Sequence, residues 1–214
     1  MNKFQLFFIA LFFFIPKTYA QLTDKQIAGE YYLEGVMEVG SGFLLSEDHT
    51  FEFFFSYGAL DRQGEGTWKM EDNKVALNSA PWPGSDFKLE KQQHRKQKGI
   101  VVQVIDKNTM ILGYMSCMIS GDGKTQELQT NNEGEVTFEP QHVDSISLYH
   151  QFFSDQLSVF PVKDTADNYF EFAFLPHIGT VFFNNFTLTL DKNELTGGHP
   201  VMKDDKEYRY VKSK

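Results

Sequence analysis

Four sulfur-bearing side chains lie close together in the chain: Met110, Met115, Cys117 and Met118. Soft donors of this kind suit monovalent copper. In a strand, successive side chains point to opposite faces, so Met115 and Cys117 share one face and Met110 and Met118 the other. Four sulfurs cannot converge from one regular strand. The expectation is a core strand in which methionine fills irregular gaps and the thiol is buried and inert. Six histidines (His49, His94, His142, His150, His177 and His199) are scattered, with no pair at the spacing of a helical zinc site and no HExxH. There is no GxSxG. Gly40-Ser-Gly42 reads as a turn, Gly121-Asp-Gly-Lys124 lacks calcium-loop spacing, and no glycine-rich loop opens a helix. The 29 acidic residues could supply a hydrolytic carboxylate pair, but no spacing marks which two. The reading is therefore no catalytic residue, no metal and no cofactor.

Two stretches remain for binding. Lys91 to Lys98 (KQQHRKQK) is basic and could meet an anion, although short charge runs usually stay solvated. Tyr57-Gly-Ala-Leu-Asp-Arg62 joins an aromatic strand to Gly64-x-Gly66-x-Trp68. A functional account places Tyr57, Asp61 and Arg62 at a barrel mouth, with Trp68 nearby, as ligand contacts. A structural account needs only Gly58 and Asp61 to shape a turn and Trp68 to close the barrel bottom, and turn chemistry explains most of these residues unaided. Gly64, Gly66, Trp68 and Met70 share one inward face, so Trp68 should be buried against Tyr31 or the row Phe51–Phe55.

The elements that must position these residues are strands. Phe51, Phe53, Phe55 and Tyr57 alternate with Glu52 and Ser56. Phe170, Phe172 and Phe174 repeat the pattern, as do Val75 and Leu77, Phe87 and Leu89, and Tyr208 and Tyr210. Turn signals recur about every ten residues, as in a meander of antiparallel strands. Helix is limited to short pieces at residues 23–28 and 151–159. Residues 27–90 read as six strands, and the Lys91–Lys98 run marks a boundary. Val/Ile-rich strands follow, and residues 180–190 and 206–211 return to the Phe/Tyr-rich style. The expected fold is all-β: a lipocalin-like antiparallel barrel from residues 21–97 and 177–214, with an immunoglobulin- or transthyretin-like β-sandwich, residues 98–176, inserted at an exposed loop. The alternative is two consecutive β domains, 21–97 and 98–214.

Residues 1–20 read as a secretory leader. Lys3 is basic, Phe4 to Ile15 is apolar but shorter than a membrane span, and Thr18 and Ala20 are small residues before a cleavage point. The expected location is periplasmic or extracellular, with no transmembrane segment in the mature chain. Without the leader, 18 basic residues face 29 acidic ones, which argues against nucleic acid as a partner. A single cysteine permits no intramolecular disulfide, so the fold must rest on its core.

Gly29-Glu-Tyr31, opening a β-meander after a short polar lead-in, resembles the Gly-x-Trp start of lipocalins and fatty-acid-binding proteins, with Tyr in place of Trp. The stretch running from Gly42 through Phe51-Glu-Phe53 to Tyr57–Trp68 resembles a family of uncharacterised bacterial exported proteins with a YGALD-type motif. No activity attaches to that motif. Val102-x-Val104-x-Asp106, Gly121-Asp-Gly-Lys124 and Thr130–Phe138 are similar to carboxypeptidase-regulatory or transthyretin-like modules, which implies a spacer or interaction role. Taken together, the expected function is non-catalytic, with a small apolar or amphipathic ligand held in the barrel. The alternative is a structural or interaction protein of the cell envelope, in which the barrel is solidly packed and an envelope protein is the partner. A hydrolase with an unrecognised site is the third reading.

Overall fold

The computed structural model describes residues 23–153 and 155–214. Residues 1–20, read from the sequence as a leader, lie outside them. The chain is all-β, apart from α1 (Asp24–Ile27) and two short 3-10 turns. Five strands come first: β1 (Gly29–Glu34), β2 (Val39–Leu45), β3 (Thr50–Tyr57), β4 (Leu60–Glu71) and β5 (Lys74–Asn78). Eight follow in the middle of the chain: β6 (Phe87–Gln93), β7 (Ile100–Ile105), β8 (Met115–Gly121), β9 (Lys124–Gln129), β10 (Glu135–Phe138), β11 (Ser145–His150), β12 (Ser158–Pro161) and β13 (Tyr169–Phe174). The last three are β14 (Phe186–Asp191), β15 (Glu194–Gly197) and β16 (Tyr208–Lys212).

The first five and last three strands close into an eight-stranded antiparallel barrel. Neighbours in the barrel are neighbours in sequence except where β5 meets β14 and where β16 meets β1 to close it. The intervening strands form two four-stranded sheets, β10-β7-β13-β6 and β12-β11-β8-β9. Their facing side chains, among them Val102, Phe170 and Phe172 from one sheet and Met115, Cys117 and Leu148 from the other, make a second core. Full burial pushes the Cys117 thiol up to about 12, as befits an inert core cysteine. Met110 is exposed in the 3-10 turn Thr109–Tyr114, away from Met115 and Cys117.

The point of insertion differs from the expectation at residues 91–98. β6 pairs antiparallel with β13, not with a barrel strand. Lys91 lies within β6 and pairs with Glu171 of β13 at 2.6 Å. The chain leaves the barrel at Ser79, through Pro81-Trp82-Pro83-Gly84. Pro81 and Pro83 have no backbone N–H to donate to a ladder, so the sheet cannot continue through them.

Inside the barrel, Tyr31, Phe43, Phe51, Phe53, Trp68 and Tyr210 belong to one continuous core. One end is closed by α1, where Ile27 is buried and its carbonyl accepts the Tyr31 hydroxyl at 2.6 Å. Trp68 sits at this end, 2% exposed, with Nε1–H donating to the Ser46 carbonyl at 2.8 Å and its ring tilted on His49. His199 lies deeper, buried among Phe55, Tyr208 and Tyr210. Its Nδ1 accepts the N–H groups of Val201 and Met202 at 3.0 Å, so Nε2 carries the proton and donates to Ser41 Oγ at 3.1 Å. Burial lowers the imidazole to about 4, against a weaker opposing pull from Asp204.

Trp68→Ala is expected to cost about 3–5 kcal/mol in denaturant unfolding, the range for a buried large aromatic; a loss under about 1 kcal/mol would mean that the indole is not a core group. His199 makes stability depend on pH. Its folded-state pKa lies below the unfolded value of about 6.5, so its contribution is complete above that value and is lost as pH falls toward 4. The loss should approach about 3 kcal/mol. Unfolding curves at pH 7.5 and 4.5 should show the decline in the native chain and a shallower one in His199→Gln.

Candidate functional site

The site begins with a mismatch of strand lengths. β4 pairs with β3 from Leu60 to Thr67, but β5 covers only Thr67 to Glu71 of its other side. The segment returning from the sandwich takes the vacant edge. Val181 N–H donates to the Gln63 carbonyl at 2.7 Å, and Thr180 bridges Gln63 in parallel. The exit and return points are tied together: Ser79 N–H donates to the Phe183 carbonyl at 2.8 Å, and Phe183 N–H to Ser79 Oγ at 3.1 Å. The same segment carries Phe183 into the barrel, with its ring centroid 4.9 Å from that of Phe51 and 5.4 Å from that of Phe53. Gly64 leaves the space, since a Cβ there would lie 2.7 Å from both the Phe183 ring and the Val181 carbonyl.

Above Gly64 on the same face stands Arg62, 5% exposed. Its Nε–H donates to the Gly179 carbonyl at 3.1 Å, and Nη2 reaches Asp155 at 2.5 Å and the Thr180 carbonyl at 3.4 Å. Lys203, from the loop before β16, meets the other oxygen of Asp155 at 3.0 Å. Burial alone would raise the Asp155 carboxyl; hydrogen bonds and charge from Arg62 and Lys203 outweigh it and hold the group low. Barrel wall, barrel loop, returning segment and sandwich thus meet at one carboxylate.

A pocket of about 190 Å³ opens beside this junction, lined by Arg62, Asp86, Asp155 and Lys203 among others. Burial raises the Asp86 carboxyl, although Trp82 Nε1–H donates to it at 2.9 Å and His177 lies 3.5 Å away. His177 Nε2 is 2.8 Å from the Ser85 carbonyl, so its proton is committed to the backbone. The Asp86 N–H donates to Ser158 Oγ at 2.8 Å. A histidine and two carboxylates do meet here, but the polar contacts they make run to the chain itself, as in a structural tie.

The four residues singled out for binding do not converge. Trp68 is at the opposite end of β4 from Arg62. Arg62 points inward and is consumed by the junction. Asp61 and the half-exposed Tyr57 face solvent beside the turn between β3 and β4.

Two depressions lie on the outer face of β1–β4, and a third, of about 510 Å³, lies on the sandwich between residues 97–100, 137–141 and 165–168. One of about 450 Å³ is lined by Glu30, Tyr32, Glu52, Phe54, Gln63 and Glu65, among others. A second, of about 700 Å³, shares Glu52, Glu65 and Thr180 with it and continues toward Pro81, Pro83 and Phe182. Register explains the lining. Glu30, Leu44, Glu52 and Glu65 form one row across four strands; Tyr32, Gly42, Phe54 and Gln63 form the next. Tyr32 and Phe54 lean together over Gly42, with ring centroids 6.1 Å apart, and stay 44% and 42% exposed. The sequence did place Glu52 on the solvent side of an aromatic strand, but showed neither Phe54 there nor which side chains stand beside it.

No protein-family model, curated protein or solved structure matches this chain.

Replacing Arg62 by Met should cost about 2–3 kcal/mol, because it leaves a half-buried carboxylate, still paired with Lys203, and two carbonyls short of donors. Tyr57→Ala and Asp61→Asn should each stay within about 0.5 kcal/mol, as exposed positions do. Chemical denaturation of the three variants checks the contrast.

Proposed function

We propose that this is an exported, non-catalytic binding protein of the cell envelope that engages its partner through the outer surface of the barrel and not through a hollow interior. One observation carries the reading: the barrel is filled by its own side chains, with Phe183 of the returning segment packed among Phe43, Phe51 and Phe53. A small barrel either holds one ligand or is filled by its side chains, and this core follows the second course. Two open depressions of ligand size lie on the outside of the barrel wall. The leader-like residues 1–20 support export. Among the described residues no helix is long and apolar enough to cross a membrane, which says nothing about strands.

The test is uptake of an apolar fluorophore, 1-anilinonaphthalene-8-sulfonate, together with native mass spectrometry of protein from its own host. The native chain is expected to carry no lipid and to give no saturable fluorescence. Phe183→Ala, which empties a ring-sized space, should bind the dye and lose about 3–5 kcal/mol of stability. Stoichiometric retention of an apolar ligand by the native chain would restore the lumen as the binding site.

A further inference from the structure

The outer face of the barrel places carboxylates side by side without a cation paired to them among the described residues. Glu52 and Glu65 stand directly opposite each other on adjacent strands. Like charges in this position repel. Glu30 lies in the same row, two strands away. Among the described residues, no lysine, arginine or histidine forms an ion pair with any of the three. Elsewhere the chain does balance such positions. Arg209 reaches both Glu34 and Glu194 on the barrel exterior, at 2.7 and 3.3 Å, and Lys69 pairs with Glu71 on the same strand as Glu65.

The row borders exposed aromatic surface, and the Tyr32 hydroxyl of that surface donates to Glu30 at 2.8 Å, which leaves Glu52 and Glu65 as the opposed pair. Tyr32 and Phe54 form the next row, and their ring faces and edges lie within the same depression of about 450 Å³. An aromatic face beside carboxylates suits an ammonium or guanidinium group, which gains from the ring quadrupole as well as from the opposite charge. The depression continues past Glu52 and Glu65 along an apolar stretch bounded by Ala80, Pro81, Pro83 and Phe182. A point cation would leave that stretch empty. Crossing the four strands takes about 14 Å, the length of about four extended residues.

We infer that this groove docks an extended segment of a partner protein that carries lysine or arginine side chains interspersed with small or apolar ones. The inference rests on the outer-surface reading above and names its partner's chemistry. The cationic side chains sit over the Glu30–Glu52–Glu65 row, and the backbone and smaller side chains lie along Phe54 and the proline-lined wall. The aromatic contribution separates this docking from general attraction to an acidic protein: bulk electrostatics would be indifferent to Phe54.

Fluorescence anisotropy with a labelled hexapeptide of alternating lysine and serine tests it, with the glutamate–serine hexapeptide as control and spermine as competitor. Saturable binding of the lysine peptide, absent for the control and weakened by salt, is expected. Glu52→Gln with Glu65→Gln should weaken it at least about tenfold and raise the thermal midpoint, since the opposed charges are gone. Phe54→Ala should also weaken binding, whereas Glu71→Gln, outside the groove, should leave it unchanged. Circular dichroism establishes that each variant is folded. No saturable binding, equal loss from Glu71→Gln, or indifference to Phe54→Ala would each overturn the inference. Binding of spermine in place of the peptide would overturn it too, by making the occupant a small polyamine. None of these outcomes bears on whether the lumen is filled, which the dye and mass measurements decide separately.

Discussion

The unpaired upper edge of β4 is the constraint on which the molecule turns. Among the strands, residues 61–66 pair with β3 only, and a buried backbone N–H or C=O needs a partner on its other side. The chain meets this need with a segment that has first traversed the whole sandwich. Because Thr180 to Phe183 must lie along β4, the exit at Ser79 and the return at Phe183 are fixed beside each other. The insertion therefore starts and ends at one place on the barrel wall, and the barrel closes as if the intervening strands were absent. The same geometry drives Phe183 through the gap at Gly64 and into the aromatic core of the barrel.

Burying Arg62 follows from this arrangement. A guanidinium withdrawn from water needs its donors satisfied, and the returning segment presents the carbonyls of Gly179 and Thr180 where the side chain emerges. Asp155 supplies the balancing charge, and Lys203 shares it. Such a pair adds little net stability against an apolar replacement of both partners, but loss of one member strands the other. Its contribution here is one of arrangement: it ties the sandwich to the barrel at a fixed point, with the cation–π approach of Arg62 to Phe153 alongside.

The two sides of the barrel wall obey different rules. Inward, the aromatic residues Phe51 and Phe53 of β3 face Gly66 and Gly64 of β4 across the register, and Phe183 fills the space the glycines leave. Outward positions place carboxylates in register beside exposed rings, a pattern that packing does not require. That asymmetry is why the groove, and not the better-packed junction, carries the functional reading. In the junction, carboxylates, histidine and arginine already face one another and the backbone.

Alternation along the chain determined what can be read locally. Period-2 patterning marks the strands and tells inward from outward residues, because a pleated backbone leaves side chains no other choice. It therefore made the all-β class, the burial of Trp68 and the inert Cys117 legible, and it places Arg62 inward with Gly64 and Trp68 although its charge suggested a mouth beside Tyr57 and Asp61. The exit from the barrel, expected at the charged run 91–98, lies instead at the Pro81–Gly84 break, because proline removes a ladder donor and a lysine does not. Alternation says nothing of which strand lies beside which. β6 has the same texture as a barrel strand, and only pairing with β13 decides its place. The opposition of Glu52 to Glu65, the meeting of Arg62 with Asp155 and the entry of Phe183 all join residues through register or through long closed loops. Those depend on the free energy of the whole assembled sheet, which no local run of residues encodes.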